Sequence, residues 1–410
     1  MEAIVERVAG VDVGQASVAA TVLLGKAHER PCKETRTFRT LTRDLLQMRE
    51  WFAALGVTHV GMEGTGIYWV PVYEVLEDGF EIIVGNARHI RNVPGRKTDV
   101  KDSEWLADLA RHGLIAKSYV PPRPLRELRD LLRYRRKLVE TRTAERNRLL
   151  KLLETANIKL ASVASNVFGV SGMLMLRALV ETQDDPRQIA ALAKGQLRRK
   201  ADDLALALEG RLSAHHRFLL RLQIRRLDLL GADIATVEDS IHRALAPYQR
   251  EHTLLQQIPG VDWVIAAVIV AEMGTDMAVF RSVKHLAAWA GVCPGNNESG
   301  GRRRRAPVRK GNPHLQTALV EAASAAARKK QSYLSDKFFR LKARRGYKRA
   351  AMAIAHKILV AVYHMLRDHT DYKDLGDKYL DVLNRRHTTN NLVRRLERLG
   401  YQVDIKPKAA

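Results

Sequence analysis

Four acidic residues near the start of the chain have the type and spacing of a metal site. Asp12 lies in the segment GVDVG, Glu63 lies in VGMEG, and Asp99 and Asp102 lie together in KTDVKD. Carboxylates that converge from separate elements hold divalent cations, and two such ions about 3.5–4 Å apart clamp the attacking and leaving oxygens of a phosphate displacement. The set of four therefore predicts a site for Mg²⁺, with Mn²⁺ as the alternative, at which phosphate chemistry takes place.

The same acids taken singly also fit a simpler interpretation. An acid at the end of a strand often caps a turn. The pair Asp99 and Asp102, three residues apart, would complement the positive end of a helix. Glu104 and Asp108 lie nearby and are alternative members of the set. Only the presence of four suitably spaced acids favours the metal site.

A serine followed by two glycines and a run of arginines forms a second candidate site. Ser299 stands in CPGNNESGGRRRR at residues 293–305, which is followed by RKGNP at residues 309–313. The glycines let the backbone approach a ligand closely, and a serine becomes a nucleophile when a base, a metal or nearby cations support it. The cationic residues that would hold phosphates are Arg302, Arg303, Arg304, Arg305, Arg309 and Lys310. In the alternative that stays open, this segment is a flexible phosphate-binding loop and Ser299 only contacts nucleic-acid backbone.

The composition of the chain indicates a folded protein with a polyanionic partner. Its 410 residues carry a formal net charge of +24, the sequence pI is about 10.2, and 46% of the residues are hydrophobic. That much apolar material builds real cores and excludes a disordered basic tail, so we expect two or three domains. A basic chain of this kind most often binds nucleic acid.

The cysteines and the apolar runs favour a cytoplasmic location. Cys32 and Cys293 are far apart and have no metal-binding partner at the usual spacing, so neither a disulfide framework nor a zinc site is expected. The N-terminal segment lacks the basic and apolar regions of a secretory signal. The longest apolar run, residues 264–271, is too short to cross a bilayer, and we expect no membrane partner.

Strands and helices before residue 120 would position the acids. The pattern predicts strands at 8–13, 17–24 and 35–38, a helix at 42–55, a strand at 57–62, a helix at 70–78, a strand at 80–84 and a helix that ends near residue 112. Asp12 would lie in the first strand, Glu63 would follow the fourth, and Asp99 and Asp102 would open the last helix. This order of elements resembles that of a ribonuclease H-like domain.

A helical pattern begins after the sequence PPRP at residues 121–124, because closely spaced prolines break helix and sheet alike. Apolar residues near heptad spacing predict a long helix at 125–153, and Arg135, Arg142 and Arg146 interrupt its seam. Such a helix is either a solvated coiled-coil arm or a nucleic-acid cradle, and the pattern favours neither. A second helical stretch at 188–248, broken near Gly210, would be its antiparallel partner.

A tight turn between two helices opens the last part of the chain. Residues 254–261 read LLQQIPGV, the pattern of a helix-hairpin-helix whose amides, that of Gly260 among them, grip a phosphate backbone. Pro-Gly between two helices is also simply a common turn. Together the segments predict an α/β domain at 1–120, an all-α coiled-coil region at 121–253, a mainly helical domain at 254–376 and a charged C-terminal arm at 377–410.

These motifs, taken in order, resemble those of the DEDD transposases of bacterial insertion sequences, the IS110 family with its IS1111 branch. The resemblance rests on GVDVG, on EGTG at residues 63–66, on KTDVKD, on IPGV with AEMG, on LAAWAGVCP at residues 286–294, on ESG and on KGN. It implies an N-terminal RuvC-like domain of ribonuclease H fold, a coiled coil and a C-terminal transposase domain. In this chain it implies Asp12, Glu63, Asp99 and Asp102 as metal ligands and Ser299 as the nucleophile.

The resemblance also implies the partners and the reaction. Members of the family are recombinases that a structured non-coding RNA, the bridge RNA, guides to donor and target DNA. They act as homo-oligomers, dimers or tetramers, in which the RuvC-like domain of one subunit completes the active site with the serine of another. The implied function is DNA strand exchange through a phosphoserine, by a cytoplasmic, nucleoid-associated bacterial protein. The long middle helices and the arm after residue 377 depart from shorter family members.

Two other functions stay open on the residues alone. A metal-dependent DNA endonuclease or junction resolvase would use the four acids to activate water, with Ser299 only binding phosphate, and would leave hydrolysed ends. A nucleic-acid-binding protein on a degenerate nuclease fold would bind in a salt-dependent way without cleavage. All four acids are present, whereas a degenerate nuclease is expected to have lost at least one.

Overall fold

Internal packing divides the chain into two units, Met1–Val120 and Pro121–Ala410. The computed structural model describes residues 2–93, 102–181, 185–295, 298–304, 306–308 and 310–405, without the side chains of Arg88 and Arg303. Three of the predicted site residues, Asp99, Arg305 and Arg309, lie outside the described residues.

A five-stranded mixed sheet forms the centre of the first unit. Its strands in chain order are β1 Arg7–Val13, β2 Ser17–Leu24, β3 Cys32–Arg39, β4 His59–Glu63 and β5 Glu81–Gly85. Their spatial order is β3-β2-β1-β4-β5, with β2 antiparallel to both its neighbours and β4 parallel to both β1 and β5. This mixed sheet is consistent with the ribonuclease H-like arrangement that the order of elements predicts.

Helices cover both faces of the sheet. They are α1 Thr42–Ala54, α2 Trp69–Leu76, α3 Ala87–Arg91 and α4 Asp102–Arg111. The apolar stripe of α1, which includes Met48 and Phe52, packs with Val11 on one face. Leu106 of α4 packs with Val8 on the other face. The two faces separate in this way because successive residues of a strand point to opposite sides.

Two glycines let α4 lie directly on the sheet. A Cβ atom on Gly10 would lie 2.1 Å from the backbone nitrogen of Ala107 and 2.1 Å from the backbone oxygen of Ser103. A Cβ atom on Gly61 would lie 2.9 Å from the Cβ of Ala110. None of these distances leaves room for a methyl group in a close-packed interior. The first glycine of GVDVG is therefore required by helix packing.

Two elements of the first unit differ from the prediction. Strand β3 covers Cys32–Arg39 instead of residues 35–38 and is mostly polar and exposed. Hydrophobic alternation does not reveal such a strand, which is defined by pairing with β2 along its whole length. Charged side chains on an edge strand also hinder pairing with other chains. The short helix α3 matches no predicted element.

The second unit is helical apart from two short strands. Its helices are α5 Arg123–Thr155, α6 Leu160–Val163, α7 Val170–Glu181, α8 Pro186–Ala190, α9 Ala201–Leu208, α10 Ala214–Leu245, α11 Gln249–Leu255, α12 Trp263–Met273, α13 Val283–Trp289, α14 Pro313–Ala326, α15 Tyr333–Arg345, α16 Tyr347–Asp368, α17 Tyr379–Leu383 and α18 Arg385–Arg398. The strands are β6 Glu298–Ser299 and β7 Arg302–Arg303, and 3-10 turns occupy Gly195–Lys200, Ala246–Tyr248 and Met277–Val279. A helical C-terminal region agrees with the prediction.

The long helices α5 and α10 lie antiparallel. As the residue number increases along α5, the residue number of its contact on α10 decreases. The contacts are Arg135 with Glu238 at 2.8 Å, Glu145 with Arg226 at 3.8 Å and Thr155 with His216 at 3.4 Å. A small apolar cluster of Leu138, Leu230 and Ile234 lies between them. Glu145 is 4% exposed, so an ion pair interrupts the apolar seam.

The predicted partner helix at 188–248 is wrong in its first half. Only α10, which begins after the predicted break at Gly210, runs beside α5. The preceding part folds into the short helices α8 and α9, whose residues Ile189 and Leu204 pack with Leu176 of α7 in a core that also contains residues from the last turns of α5 and the first half of α10. Helix α8 ends at Ala190 and α9 begins at Ala201, with a 3-10 turn at Gly195–Lys200 between them, and apolar spacing does not predict this interruption.

The arginines that interrupt the pattern of α5 largely serve the fold. Arg135 bonds Glu238 and lies over the ring of Trp263, 5.4 Å from its centroid. Arg146 lies over the ring of Phe168, 5.2 Å from its centroid. Burial, reinforced by the charges of neighbouring arginines, lowers the pKa of Arg142. Two of the three guanidinium groups therefore already have partners within the second unit.

Helix α16 is the one helix in the described part of the chain that is long and apolar enough to cross a membrane by length and composition. Of its apolar window, 56% is buried inside the protein. It packs against α14 and α15, and Ile358 and Leu359 are fully buried. This is how the core helix of a soluble domain behaves, so α16 is consistent with a protein outside the membrane.

The close approach of α4 to β1 makes a stability prediction. Gly10→Ala should cost about 2 kcal/mol or more, because the new methyl group overlaps backbone that side-chain rotation does not relieve. Amide exchange of β1 and β4, measured by mass spectrometry, should then accelerate about 30-fold. Gly79→Ala is the control, since the nearest atom to its Cβ would be 3.9 Å away. Equal exchange in both variants would contradict the packing argument.

Candidate functional site

Two of the predicted metal ligands end neighbouring parallel strands. Val11 of β1 pairs with Met62 of β4, so the next residues, Asp12 and Glu63, lie at the same level and at the carboxyl ends of both strands. Asp12 is exposed and Glu63 is half-buried. Neither acid therefore carries the cost of a fully buried charge, and both are accessible to a ligand from solvent.

The same two acids lie on the face that α4 covers. Gly10 and Gly61 both approach the backbone of α4, and each precedes an acid by two residues. Because residues two apart on a strand share a face, Asp12 and Glu63 share it too. The register and the glycine contacts thus place Asp12 and Glu63 on one face of the sheet, at the carboxyl ends of β1 and β4. We call this place the acid edge.

The third described acid joins them through the direction of α4. The first turn of the helix lies against Gly10, and the carbonyl of Arg111 near its end accepts a hydrogen bond from the Ile4 amide at 2.9 Å. Helix α4 therefore runs antiparallel to β1, and its first residue, the exposed Asp102, lies at the acid edge. Buried Ser103 fixes this end of the helix through a 2.9 Å hydroxyl contact with Thr21 of β2.

The turn that follows Glu63 is held in place by local hydrogen bonds. The hydroxyl of Thr65 donates to Glu63 Oε1, and the amide of Gly64 donates to the carbonyl of Gly85 at 2.9 Å. These contacts tie the carboxylate to the sheet edge. A carboxylate held in this way loses less side-chain freedom when it binds a cation.

The alternative acids Glu104 and Asp108 have other partners. Lys33 on β3 donates to both carboxylate oxygens of Glu104 at 2.9 Å. Asp108 lies 3.3 Å from Nδ1 of His112, further along α4 from the acid edge. Asp102 is the first residue of α4 and lies at the acid edge, and this position favours it over Glu104 and Asp108 as the acid that α4 contributes.

The donor set fits a hard cation. Asp12, Glu63 and Asp102 offer only carboxylate oxygens, which Mg²⁺ and Mn²⁺ prefer, whereas zinc favours nitrogen and sulfur. Among the residues that the structure describes, no group of three or more acidic, histidine or cysteine side chains is arranged so that it could hold a metal ion. Asp99, the fourth predicted ligand, lies outside the described residues.

Ser299 lies at the end of a short β-hairpin in the second unit. It pairs with Arg302 across the strands β6 and β7, and the two residues between them, Gly300 and Gly301, have φ angles of 59° and 72°. A two-residue hairpin turn of this kind needs positive φ at both central positions, which glycine adopts without strain. A Cβ at either glycine would meet nothing within 4 Å, so the requirement is conformational and the tip of the hairpin projects into open space.

The same hairpin is closed at its base. The amide of Gly295 donates to the carbonyl of Pro307 at 3.0 Å, and Pro294 pairs with Val308 in an isolated antiparallel bridge. Ser299 is exposed at the far end. The described residues of the segment, for which a flexible loop was the alternative interpretation, form a paired β-arm that presents its serine to solvent.

The described basic residues of the motif extend from this arm. Arg302 and Arg304 are exposed, the backbone of Arg303 belongs to β7, and Lys310 is exposed just after the arm. Exposed cations beside an exposed serine can bind the phosphates that flank a scissile bond.

The segment that follows the arm packs against the segment that precedes it. A Cβ on Gly311 would lie 2.3 Å from the backbone nitrogen of Gly291, and the amide of Asn312 donates to the carbonyl of Trp289 at 3.1 Å. The side-chain oxygen of Asn312 accepts from the amides of His314 and Leu315, which caps α14. The motifs AGVCP and KGN therefore form one packed foundation for the arm.

A buried carboxylate that sequence reasoning missed joins this foundation to α5. Glu272 on α12 is 2% exposed, and its oxygens accept from Arg133 at 2.9 and 3.0 Å and from Nδ2 of Asn312 at 2.7 Å. Arg129 lies 3.2 Å from the same carboxylate and donates to the carbonyl of Ala271 at 2.8 Å. The signal for this residue is a single acid within an otherwise apolar helix, residues 263–273.

The imidazole of His314 lies beside this cluster. Burial, with Arg133 as the next cause, lowers the pKa of His314 below its ordinary value. The ring therefore stays neutral at neutral pH and adds no third cation next to Arg129 and Arg133. The ionised groups of the cluster are therefore two guanidinium groups and one carboxylate, and the neutral imidazole adds no further repulsion.

Gly260 lies in the turn between α11 and α12. Its φ is 88°, and a Cβ there would lie 2.2 Å from the carbonyl oxygen of Ala322 on α14. Close packing against α14 alone accounts for this glycine. A contact of Gly260 with nucleic acid stays a prediction.

Two transposase families match separate parts of the chain. Residues 9–158 match the family DEDD_Tnp_IS110, described as "Transposase". Residues 252–339 match the family Transposase_20, described as "Transposase IS116/IS110/IS902 family". The first match contains all four acids, and the second contains Ser299 and the buried Glu272.

Curated proteins from several bacteria are similar over most of the chain. A "Probable family 20 transposase" from Pseudomonas aeruginosa is 26% identical over 336 residues, 80% of this chain and 89% of that protein. The "Transposase for insertion sequence element IS1111A" from Coxiella burnetii is 24% identical over 328 residues, 78% of this chain and 81% of that protein. With both family matches in order along the chain, the protein belongs to the IS110/IS116 family of insertion-sequence transposases.

Proposed function

We propose that this transposase exchanges DNA strands through a covalent phosphoserine formed by Ser299. The observation that carries the proposal is the glycine-turned arm, which exposes a serine beside arginines at the end of a hairpin. Because the chain belongs to a family of transposases, which process DNA, we expect this serine to react with a DNA phosphodiester.

The reaction consists of two transesterifications. The oxygen of the Ser299 hydroxyl attacks a DNA phosphorus and gives up its proton, and a bond from phosphorus to the serine oxygen forms. The bond from phosphorus to a deoxyribose oxygen breaks, and that oxygen takes up a proton and leaves as a hydroxyl. A deoxyribose hydroxyl of the new partner strand then attacks the phosphoserine and releases the serine. One phosphodiester replaces another at each step, so no ATP is consumed, and the sequence contains no GxxxxGK[ST] phosphate loop.

The chain's charged residues would serve this reaction in two ways. Arg302, Arg304 and Lys310 would bind phosphates that flank the scissile one and neutralise charge that builds up on it. Asp12, Glu63 and Asp102, with Asp99, would hold Mg²⁺, which when bound supplies Lewis-acid stabilisation of phosphate oxygens. The carboxylates at one sheet edge support this assignment.

The proposed partners are donor and target DNA together with a structured guide RNA, bound by a homo-oligomer. The net charge of +24 supports polyanion binding. Binding of this kind releases condensed counterions from the nucleic acid, and its affinity therefore falls steeply as the salt concentration rises. The guide RNA is proposed for this chain because the chain belongs to this family.

The serine assignment predicts the loss of a covalent adduct. Ser299→Ala should abolish the denaturation-resistant protein–DNA adduct that forms on DNA from the ends of the insertion element, because no other group in the arm replaces the hydroxyl. Removing a neutral hydroxyl should leave DNA affinity within about 2-fold, since phosphate contacts carry most of it. Ser240→Ala, at a half-buried position on α10, is the control and should keep the adduct.

An adduct that persists in Ser299→Ala would refute the serine assignment. Hydrolysed DNA ends without any adduct, in the unaltered protein, would identify a metal-dependent endonuclease or junction resolvase instead.

The acid edge predicts which carboxylate on α4 binds metal. Asp102→Asn should weaken Mn²⁺ binding by at least about 10-fold, measured by calorimetry, and slow DNA cleavage by a similar factor. Asp108→Asn, on the same helix but paired with His112, should leave both unchanged. Equal effects of the two substitutions would show that helix charge, and not ligation, governs metal binding.

The guide-RNA proposal predicts the contents of the purified protein. Protein prepared at low salt from its native host should carry one dominant structured non-coding RNA, which sequencing identifies, and nuclease removal of that RNA should abolish strand exchange. A heterogeneous RNA mixture whose removal leaves strand exchange intact would exclude a guide.

A further inference from the structure

We infer that Glu272 and Asn312 are positioning residues that orient the arm carrying Ser299, an inference that rests on the proposed function. Neither residue lies in the arm. Together they form the link between the buried core of the second unit and the chain segment that leaves the arm.

Asn312 carries three contacts at once. Its backbone amide donates to Trp289 on the segment before the arm, its side-chain oxygen caps α14, and its Nδ2 donates to Glu272 at 2.7 Å. The first contact joins the two ends of the arm, and the third fixes that junction to α12. The direction in which the arm leaves the core is therefore set at Asn312.

Glu272 is held by the core more firmly than Asn312 is. Its carboxylate is 2% exposed and is bonded by Arg133, with Arg129 at 3.2 Å. Both arginines belong to the 33-residue helix α5. Asn312 is thus anchored to a carboxylate that two cations on a long rigid helix already hold.

Gln316 on α14 holds the other end of the arm, since its side-chain amide donates to the carbonyl of Gly291. Beyond these anchors, the described contacts within the arm are the Gly295–Pro307 bond, the bridge of Pro294 with Val308 and the β6–β7 pairing. The orientation of Ser299 consequently depends on how well the two ends of the arm are held.

The length of the arm amplifies small changes at its base. Ser299 lies five residues beyond Pro294, which pairs with Val308 at the base of the arm. A reacting group must be held within about 0.5 Å of its productive position, so even a small change of direction at the base matters at the serine. Loosening of the Asn312–Glu272 contact should therefore affect chemistry much more than DNA binding.

A pair of matched cap substitutions tests the inference. Asn312→Ser keeps a good N-cap for α14, but the shorter side chain no longer reaches Glu272. Asp262→Ser makes the same kind of exchange at the N-cap of α12, where Asp262 accepts from the amide of Ile265 at 2.9 Å, and leaves Glu272 untouched. Both variants place serine at a helix N-cap, and only Asn312→Ser breaks the link to the arm; Asp262→Ser also removes a charge, which makes it the more severe capping change.

The measurements separate positioning from stability. In full-length protein with its co-purified RNA, Asn312→Ser should accelerate amide exchange of residues 298–304 at least 5-fold. It should also slow single-turnover adduct formation at least 10-fold, while the Kd for DNA from the element ends stays within 2-fold. Asp262→Ser should change none of the three beyond 2-fold.

A reciprocal exchange provides the rescue. Asn312→Asp faces the Glu272 carboxylate with a second one, and Glu272→Gln removes the acceptor charge, so each alone should slow adduct formation at least 10-fold. Together they restore a donor opposite an acceptor and keep one carboxylate for Arg129 and Arg133. The double variant should regain at least half of the unaltered rate.

The outcomes distinguish this inference from the proposed function. Unchanged exchange of residues 298–304 in Asn312→Ser, or a double variant no faster than either single one, would overturn the positioning role. Accelerated exchange with no adduct even in the unaltered protein would overturn the serine chemistry and still support the role of Asn312 in orienting the arm.

Discussion

The buried carboxylate of Glu272 is the interaction on which the second unit depends most. An ionised group in an apolar helix loses several kcal/mol of hydration, which only close partners offset. Arg133, Arg129 and Asn312 supply those partners at 2.7–3.2 Å. Because removing one member of a buried charge cluster typically costs about 3–5 kcal/mol, the charges oblige α5, α12 and the start of α14 to keep one arrangement.

A different constraint, close packing, organises the first unit. The backbone of α4 contacts β1 and β4 where glycines replace side chains, and the helix direction brings Asp102 to the edge that Asp12 and Glu63 share. The acids do not hold each other in place, since like charges repel. The sheet register and the glycine contacts carry that cost, as they commonly do at sites built to bind a cation.

Much of the first unit could be predicted from its sequence because its strands and helices repeat with clear periods. Strand β2 matches its predicted bounds, Asp12 lies within β1, and Glu63 ends β4. Strand β3 was predicted too short because its mostly polar residues show no alternation of hydrophobicity. Its full length is defined by pairing with β2, which a local sequence pattern does not report. The long second helix was predicted to begin too early because apolar spacing does not report the interruption at residues 191–200, between α8 and α9.

The cluster around Glu272 was harder to predict from the sequence, because it too depends on contacts between residues that are far apart in the chain. Glu272 and Arg133 are 139 positions apart, so no local pattern links them, and only the presence of an acid in an apolar helix hints at a partner. The two glycines after Ser299 indicated that the backbone could approach a ligand closely. In the structure their role is different, since their positive φ angles form the turn of the hairpin. The central claim is that Ser299 becomes linked to DNA. Peptide mapping by mass spectrometry of the adduct trapped on DNA from the element ends tests it most directly: a nucleotide attached to Ser299 is the predicted result, and attachment to any other residue would contradict the account.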